Sequence, residues 1–502
     1  MSPALPARPR LEHLKKQAKE LLHSAEVLDP AAVERFRSLG ISSSGAKLAD
    51  AQHVIAREYG FSSWTTLKAH VESLEAEENP RKALIAAAQA DDVAKARALL
   101  QRHATLRAQI KDPWPEIPFG GRPIGAAAQH RNKQLVDLLL EFGADINARS
   151  DWAPGSFGVL DGADPEFAQF LISRGARVDA HSAAHLGMLD KLREIVSANP
   201  EVVHARGGDG QTPLHFASSI EIADYLLENG ANIDAIDVDH EGTPAQWMIS
   251  DRTEIARHLV RRGAKEDFLM AVALGDIDVV RRFLDEDPAV VRTTVTPEYF
   301  PMRGPLAAGH IYNWSLDRNG TAHDFARRFG HADVLRLLME RSPDDVKLVA
   351  AARLGDEALA RKVIAERPGL AKSLPNETKR KLVDAAQDEN VTAVRLMLAA
   401  GWPTDGRGQE NATALHWAGF LGNLAIAREL LEHGAAVNAK GDEYDGTPLS
   451  WAIYGSTNSW KCKTGDFAGV VKALLDAGAT VPERTDSASD AVREVLRLRR
   501  IT

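Results

Sequence analysis

Six stretches of this chain concentrate ionisable groups, five of them beside large aromatic residues, and any chemistry would start there. Ile236 to Gly242 reads IDVDHEG and holds Asp239, His240 and Glu241. Arg292 to Gly320 is the longest and holds Glu298, Tyr299, Arg303, His310, Tyr312, Asn313, Trp314, Asp317 and Arg318. Lys440 to Gly446 holds Glu443, Tyr444 and Asp445, and Gly455 to Asp466 holds Trp460. Lys111 to Gly121 and Ser150 to Gly158 add Trp114 and Trp152. Sugar rings stack on tryptophan, and charged groups or amides fix their hydroxyls. Glycoside hydrolysis needs two carboxyl groups at a set separation, one acid and one base or nucleophile. Asp239, Glu241, Glu298 and Asp317 are the candidate carboxylates, beside Glu443 and Asp445. His310 is the candidate general base, with His240 and His323 as further possibilities. Candidate ligand contacts are Trp247, Tyr299, Arg303, Tyr312, Asn313, Trp314, His416, Trp417, Tyr444, Trp451 and Trp460. The plain alternative is that the acids are surface turn residues, the histidines caps and the tryptophans packing.

Other chemistries lack their motifs. There is no GxSxG elbow, no Walker loop, no HExxH and no GxGxxG opening a suitable helix. A tight turn rarely aims adjacent residues at one centre, so Asp239-His240-Glu241 is not expected to hold a metal. The single cysteine, Cys462, excludes a disulfide framework and a thiolate-rich zinc site and reads as an incidental loop thiol. No cofactor is expected.

The elements that position these stretches follow from self-similarity. Gly210-Gln211-Thr212-Pro213-Leu214-His215-Phe216-Ala217 recurs in altered form at Gly242, Gly320, Ala412 and Gly446. A Leu-Leu helix followed by Gly-Ala closes the units at Gly143, Gly175, Gly230, Gly263, Gly434 and Gly478. Thr212 to Thr243 is 31 residues and Thr413 to Thr447 is 34. Thr suits the N-cap and Pro the first helical position, whose missing N–H is not needed. Leu-Leu pairs such as Leu430-Leu431 form the seam to the next unit, and Gly supplies a left-handed cap.

Over roughly residues 81–485 these motifs resemble the ankyrin-repeat family, and Asn411 to Lys440 is nearly a full consensus unit. The resemblance implies an all-α solenoid of about twelve helix pairs with hairpin fingers. It also implies a structural use for the motif histidines, His215 and His416. Fingers and first helices line the concave side of that fold, so the enlarged fingers are expected to converge on one aromatic- and carboxylate-rich groove. Trp247, Trp417 and Trp451 share one position on three first helices.

Residues 1–80 depart from the repeat. Four helices are predicted: Arg10 to His23, Pro30 to near Gly40, Lys47 to Tyr59, and one capped by Ser62 or Ser63 reaching Leu74. Tyr59 to Trp64 (YGFSSW) is similar to a segment found ahead of ankyrin arrays in bacterial proteins. This module is expected to cap the first repeat, with Trp64 as a core anchor. Residues 486–502 are expected to form a capping helix at the other end, with Arg497, Arg499 and Arg500 complementing its dipole.

Net charge is −9 and no basic face stands out, which argues against a nucleic-acid partner. No run of ~18 apolar residues and no secretory h-region occurs, so no membrane segment and a cytoplasmic, monomeric protein are expected. The favoured reading is a recognition scaffold binding a protein partner in its groove. A glycosidase-like hydrolase in the same groove, and a noncatalytic binder of a small polar or carbohydrate ligand, are the alternatives.

Overall fold

The computed structural model describes residues 5–499 except 7, 154 and 442–445, and gives residue 76 by its backbone alone. Among the described residues the fold is all-α, with no β-strand and two isolated bridges. The chain packs as two compact units, residues 1–232 and 233–502.

The first unit opens with α1 (Leu11–Glu26), α2 (Pro30–Arg37), α3 (Leu48–Glu58) and α4 (Trp64–Glu78). Asp29 caps α2 by accepting from the Ala32 N–H at 2.9 Å, with Pro30 at the first helical position. Ser63 caps α4. The four helices share their own core, including Leu14, Leu21, Phe36, Val54, Leu67 and Val71, with Trp64 half-buried against it. α4 then packs on the helix Pro80–Gln89 of the first repeat.

Among the described residues twelve repeat units follow between Pro80 and Asp476, eleven of them built of two helical elements. The repeat weakens in two places. Val159–Ala163 runs through turns where the third unit's first helix would stand, and Pro213–Phe216 is a single 3₁₀ turn. Most second helices start on Asp or Asn: Asn390 accepts from the Ala393 N–H at 2.9 Å, and Asn423 from Ile426 at 3.1 Å. Gly263 (φ 102°) and Gly434 (φ 77°) hold the left-handed cap where side chains are disfavoured. Pro200 and Pro288 do more than stop the preceding helices. Each opens a 3₁₀ turn capped by the side chain of Asn199 or Asp287. The last helix, Asp490–Arg499, buries Val492 and Leu496 in the core of the final repeats. No helix among the described residues is long and apolar enough to cross a membrane.

Candidate recognition site in the second unit

Four first helices of the second unit are anchored by one repeated device. The residue three after Thr reaches back to the Thr N–H. It is Gln246 Oε1 for Thr243 at 2.9 Å, Asp324 Oδ2 for Thr321 at 2.9 Å, His416 Nδ1 for Thr413 at 3.1 Å and Ser450 Oγ for Thr447 at 2.6 Å. A backbone N–H can only donate, so His416 Nδ1 is the acceptor and the ring proton sits on Nε2. Nε2 then donates to the Gly446 carbonyl at 3.0 Å. His416 is fully buried with both nitrogens spent. Its place among the ligand contacts is therefore corrected: it is a structural group.

The contacts sort the other candidates into two groups. The first forms where the finger Ile236–Gly242 meets the insertion 292–320. Asp237 organises the finger, accepting from His240 N at 2.6 Å, Gly242 N at 2.8 Å and Trp247 Nε1 at 2.7 Å. The insertion binds the finger through its backbone: Ala308 N donates to Asp239 O at 2.9 Å and Ile311 N to His240 O at 3.0 Å. The His240 ring lies between Trp314 and Trp247, with centroids 4.3 and 5.4 Å away. Phe300, His310 and Tyr312 pack on one another beside it, with centroids 4.7–5.2 Å apart. Tyr312 is fully buried and donates to Asp267 Oδ2 at 2.6 Å, which also accepts from Gln246 Nε2 at 2.9 Å. Burial and the Asp267 charge hold the Tyr312 hydroxyl well above its ordinary range, so it remains a donor.

The far side of the insertion is pinned too. Tyr299 donates to Glu377 at 2.6 Å, and Asn319 Nδ2 to Gln387 at 3.1 Å. Arg292 makes a bidentate pair with Asp345 at 2.7 and 2.9 Å. The insertion is thus a built part of the array, tied both to units before it and to units after it.

These bonds decide what the candidate acids do. Glu241 Oε1 accepts from the N–H groups of Arg303 and Gly304 at 2.9 and 2.6 Å, which leaves it holding a turn. Its hydrogen bonds go to the backbone of the insertion, whereas Asp239 Oδ2 and His240 Nε2 lie 3.5 Å apart. Asp317 is exposed and paired with Arg328 at 2.7 Å. Glu298 and Arg303 point into solvent, and Asn313 is half-buried. Asp239 is buried, its Oδ1 has no hydrogen-bond partner, and its Oδ2 lies 3.5 Å from His240 Nε2. Burial pushes His310 below its usual range, so its ring is neutral near pH 7. Its Nδ1 accepts from the Tyr312 N–H at 3.3 Å. Tyr312, expected at a ligand, is instead enclosed by the insertion it anchors. Tyr444, Glu443 and Asp445 lie outside the described residues.

The second group sits on the helices Ala414–Leu421 and Pro448–Asn458 and the turn after them. Trp417 is buried, and its ring meets Trp451 edge-on at 5.4 Å and Phe420 at 6.0 Å. Phe420 stacks on Tyr454 at 6.4 Å and 21°, and meets Trp460 edge-on at 5.3 Å. Tyr454 is 53 % exposed and Trp460 67 %. The turn is held by Lys461, whose ammonium pairs with Glu389 at 2.5 Å, and by Asp466 N donating to Gly422 O at 2.9 Å. The result is a row of aromatic rings, buried at Trp417 and open at Trp460.

Sequence reasoning missed Asp237, Gln246, Asp267 and Phe420. Their spacing held a usable signal for two of them. Gln246 stands three residues after a motif Thr, and Phe420 three after Trp417 on the same helix face.

Comparison with known proteins agrees with this architecture. The family model for ankyrin repeats in three copies matches residues 159–268 and 382–485, and the single ankyrin repeat matches 123–151. Palmitoyltransferase Hip14 of Drosophila melanogaster is 37 % identical over 90 residues, 18 % of this chain and 14 % of that protein. Palmitoyltransferase AKR1 of Kluyveromyces lactis is 40 % identical over 79 residues, 16 % of this chain and 9 % of that protein. The chain therefore matches only about a seventh and a tenth of the lengths of these relatives.

Proposed function

Since the chain belongs to the ankyrin-repeat family, we propose that its second unit is a protein-recognition surface anchored by Phe420, Trp451, Tyr454 and Trp460. Ankyrin repeats generally mediate protein binding. The observation that carries the reading is the exposure of Tyr454 and Trp460 on a packed base of rings, Phe420 and Trp451 half-buried and Trp417 buried. Large aromatics cost little entropy to immobilise and dominate the energetics of protein interfaces. Two of the four described candidate acids, Glu241 and Asp317, are spent on a turn and an ion pair, and Glu298 lies exposed, which favours recognition over reaction. The similarity to two palmitoyltransferases covers too little of either protein to bring acyl transfer to this chain.

The test is a photo-crosslinker placed at position 454 of the full chain, followed by affinity measurements on the protein it captures. Trp460→Ala and Tyr454→Ala should each weaken binding at least tenfold, the loss expected of an interface anchor. Asp317→Asn should leave it unchanged. A captured partner that binds both alanine variants as well as the parent would remove this surface from the function. Turnover of any glycoside that Asp239→Asn abolishes would bring the hydrolase alternative forward instead.

A further inference from the structure

The N-terminal helices enclose a cleft that the repeat array does not account for. It has a volume of about 380 Å³ and lies among α1, α2 and α3. Its floor is apolar, with Leu21 buried at the bottom. Its walls carry three carboxylates, Glu20, Asp29 and Glu58, and one cation, Arg35.

The bonding leaves the cleft with negative charge to spare. Arg35 is consumed by Glu58 in a bidentate pair, both bonds 2.7 Å. Asp29 spends Oδ1 on the Ala32 N–H and keeps the other oxygen open. Glu20 has one long pairing, with Lys16 at 3.8 Å on an exposed helix face, a geometry that contributes little. Tyr59 closes one side, its hydroxyl held by Gln17 Oε1 at 3.3 Å, which fixes the ring. An apolar floor, an aromatic wall and an acidic rim suit a long cationic side chain. Its methylenes would lie on Leu21 and its charge would meet Glu20, Asp29 and the Tyr59 face.

We propose that this cleft docks one arginine or lysine side chain from an extended basic segment of a partner protein. Charge complementarity selects the occupant: Glu58 and Arg35 neutralise each other, and Glu20 and Asp29 remain as the surplus acids of the lining. The inference is independent of the aromatic surface in the second unit.

The full chain is titrated into a fluorescein-labelled glycine-serine peptide carrying two arginines, read by fluorescence anisotropy. The same peptide with citrulline in place of arginine removes the charge and keeps the shape. Binding should be at least about tenfold weaker for the citrulline peptide and for the double variant Glu20→Gln/Asp29→Asn. Asparagine also caps helices, so α2 should persist, and a circular-dichroism melt checks this. Glu34→Gln, an acid on α2 outside the cleft, should change nothing. Equal affinity for the arginine and citrulline peptides, unchanged binding by the double variant, or no binding of the arginine peptide would each overturn the proposal. Displacement of the peptide by spermidine at concentrations far below the peptide's own Kd would make the occupant a free polyamine and overturn it as well.

Discussion

Tyr312 and Asp267 stand 45 positions apart and are joined by a 2.6 Å hydrogen bond from the buried phenol to the carboxylate that caps the helix Phe268–Leu274. One bond thereby ties the middle of the long insertion to the repeat before it. Tyr312→Phe removes the donor and leaves Asp267 Oδ2 with Gln246 alone. The expected cost is about 1–3 kcal/mol, the worth of one hydrogen bond to a charged group, since half-buried Asp267 keeps its bond from Gln246. A repeat array does not unfold as one unit, so hydrogen exchange read peptide by peptide is the appropriate measure. Amides of residues 299–319 should exchange faster in Tyr312→Phe, and Asp490–Arg499 should not. Unchanged exchange across the insertion would mean that this bond holds nothing in place.

Glu266 makes the stability of the same region depend on pH. Burial first, then Asp276 and Asp267, raise its pKa to about 7, and its Oε1 has no hydrogen-bond partner. A folded-state pKa above the unfolded one stabilises the fold fully below the unfolded value, and that contribution is lost as pH rises through about 7. Glu266→Gln should therefore protect the amides of Phe268–Leu274 and Ile277–Glu286 more strongly than the parent at pH 8. Solvent reaches the group, so the gain should be about 1 kcal/mol rather than the full value of the shift. At pH 5 the two proteins should match. An equal difference at both pH values would show that the charge on Glu266 is not the cause.

The repeats were legible because their signals are local. Thr, its partner three residues on and the closing Gly act within one turn, so Thr413, His416 and Gly434 announce a unit without knowledge of anything distant. The site was legible only as composition. Trp460 and Tyr312 look equally suited to a ligand in sequence, yet one is open and the other enclosed. The difference lies in bonds from the insertion to Asp239, Asp267 and Glu377, at separations of 45 to 78 residues where they are made by Tyr312 and Tyr299. Nothing in the spacing of acids tells which carboxylate a backbone N–H will claim, as Arg303 and Gly304 claim Glu241.

Arg353 gathers three successive units around one guanidinium. It donates to Asp324 at 2.7 Å from Nε and to Asp388 at 3.0 Å from Nη2, and it is almost wholly buried. The two acids respond differently. Asp324 also accepts from Thr321 and lies below the usual carboxylate range, whereas burial and nearby Asp384 raise Asp388 to about 6. Arg353→Met should open this junction by about 1–3 kcal/mol, because two partly exposed carboxylates lose their shared counter-charge. Asp388→Asn keeps an acceptor for Nη2 and removes a charge that costs stability above about pH 6, where the contribution of the protonated form is lost. At pH 7.5 it should be neutral or protective for Asn376–Gln387, and below pH 4 the parent should catch up. Damage from Asp388→Asn as large as from Arg353→Met would show that the pair, rather than the net charge, governs the junction.

His323 gives the opposite sign. Its ring is buried, and Ser342 already donates its hydroxyl to Leu338 O at 2.7 Å, so His323 Nε2 must be the donor in their 2.9 Å contact. Burial lowers its pKa to about 4. A depressed histidine stabilises the fold fully above its unfolded value near 6.5, and that contribution is lost as pH falls through about 4. A shift of this size in a buried group corresponds to roughly 3 kcal/mol at most. The amides of Ala322–Arg328 should thus lose protection between pH 6.5 and 4 in the parent. His323→Gln keeps a donor but cannot take up a proton in this range. It should cost about 1–3 kcal/mol at pH 7.5 through imperfect packing and bonding, then stay nearly flat over the acidic interval. Parallel losses in both proteins on acidification would assign the acid sensitivity of this helix to other groups.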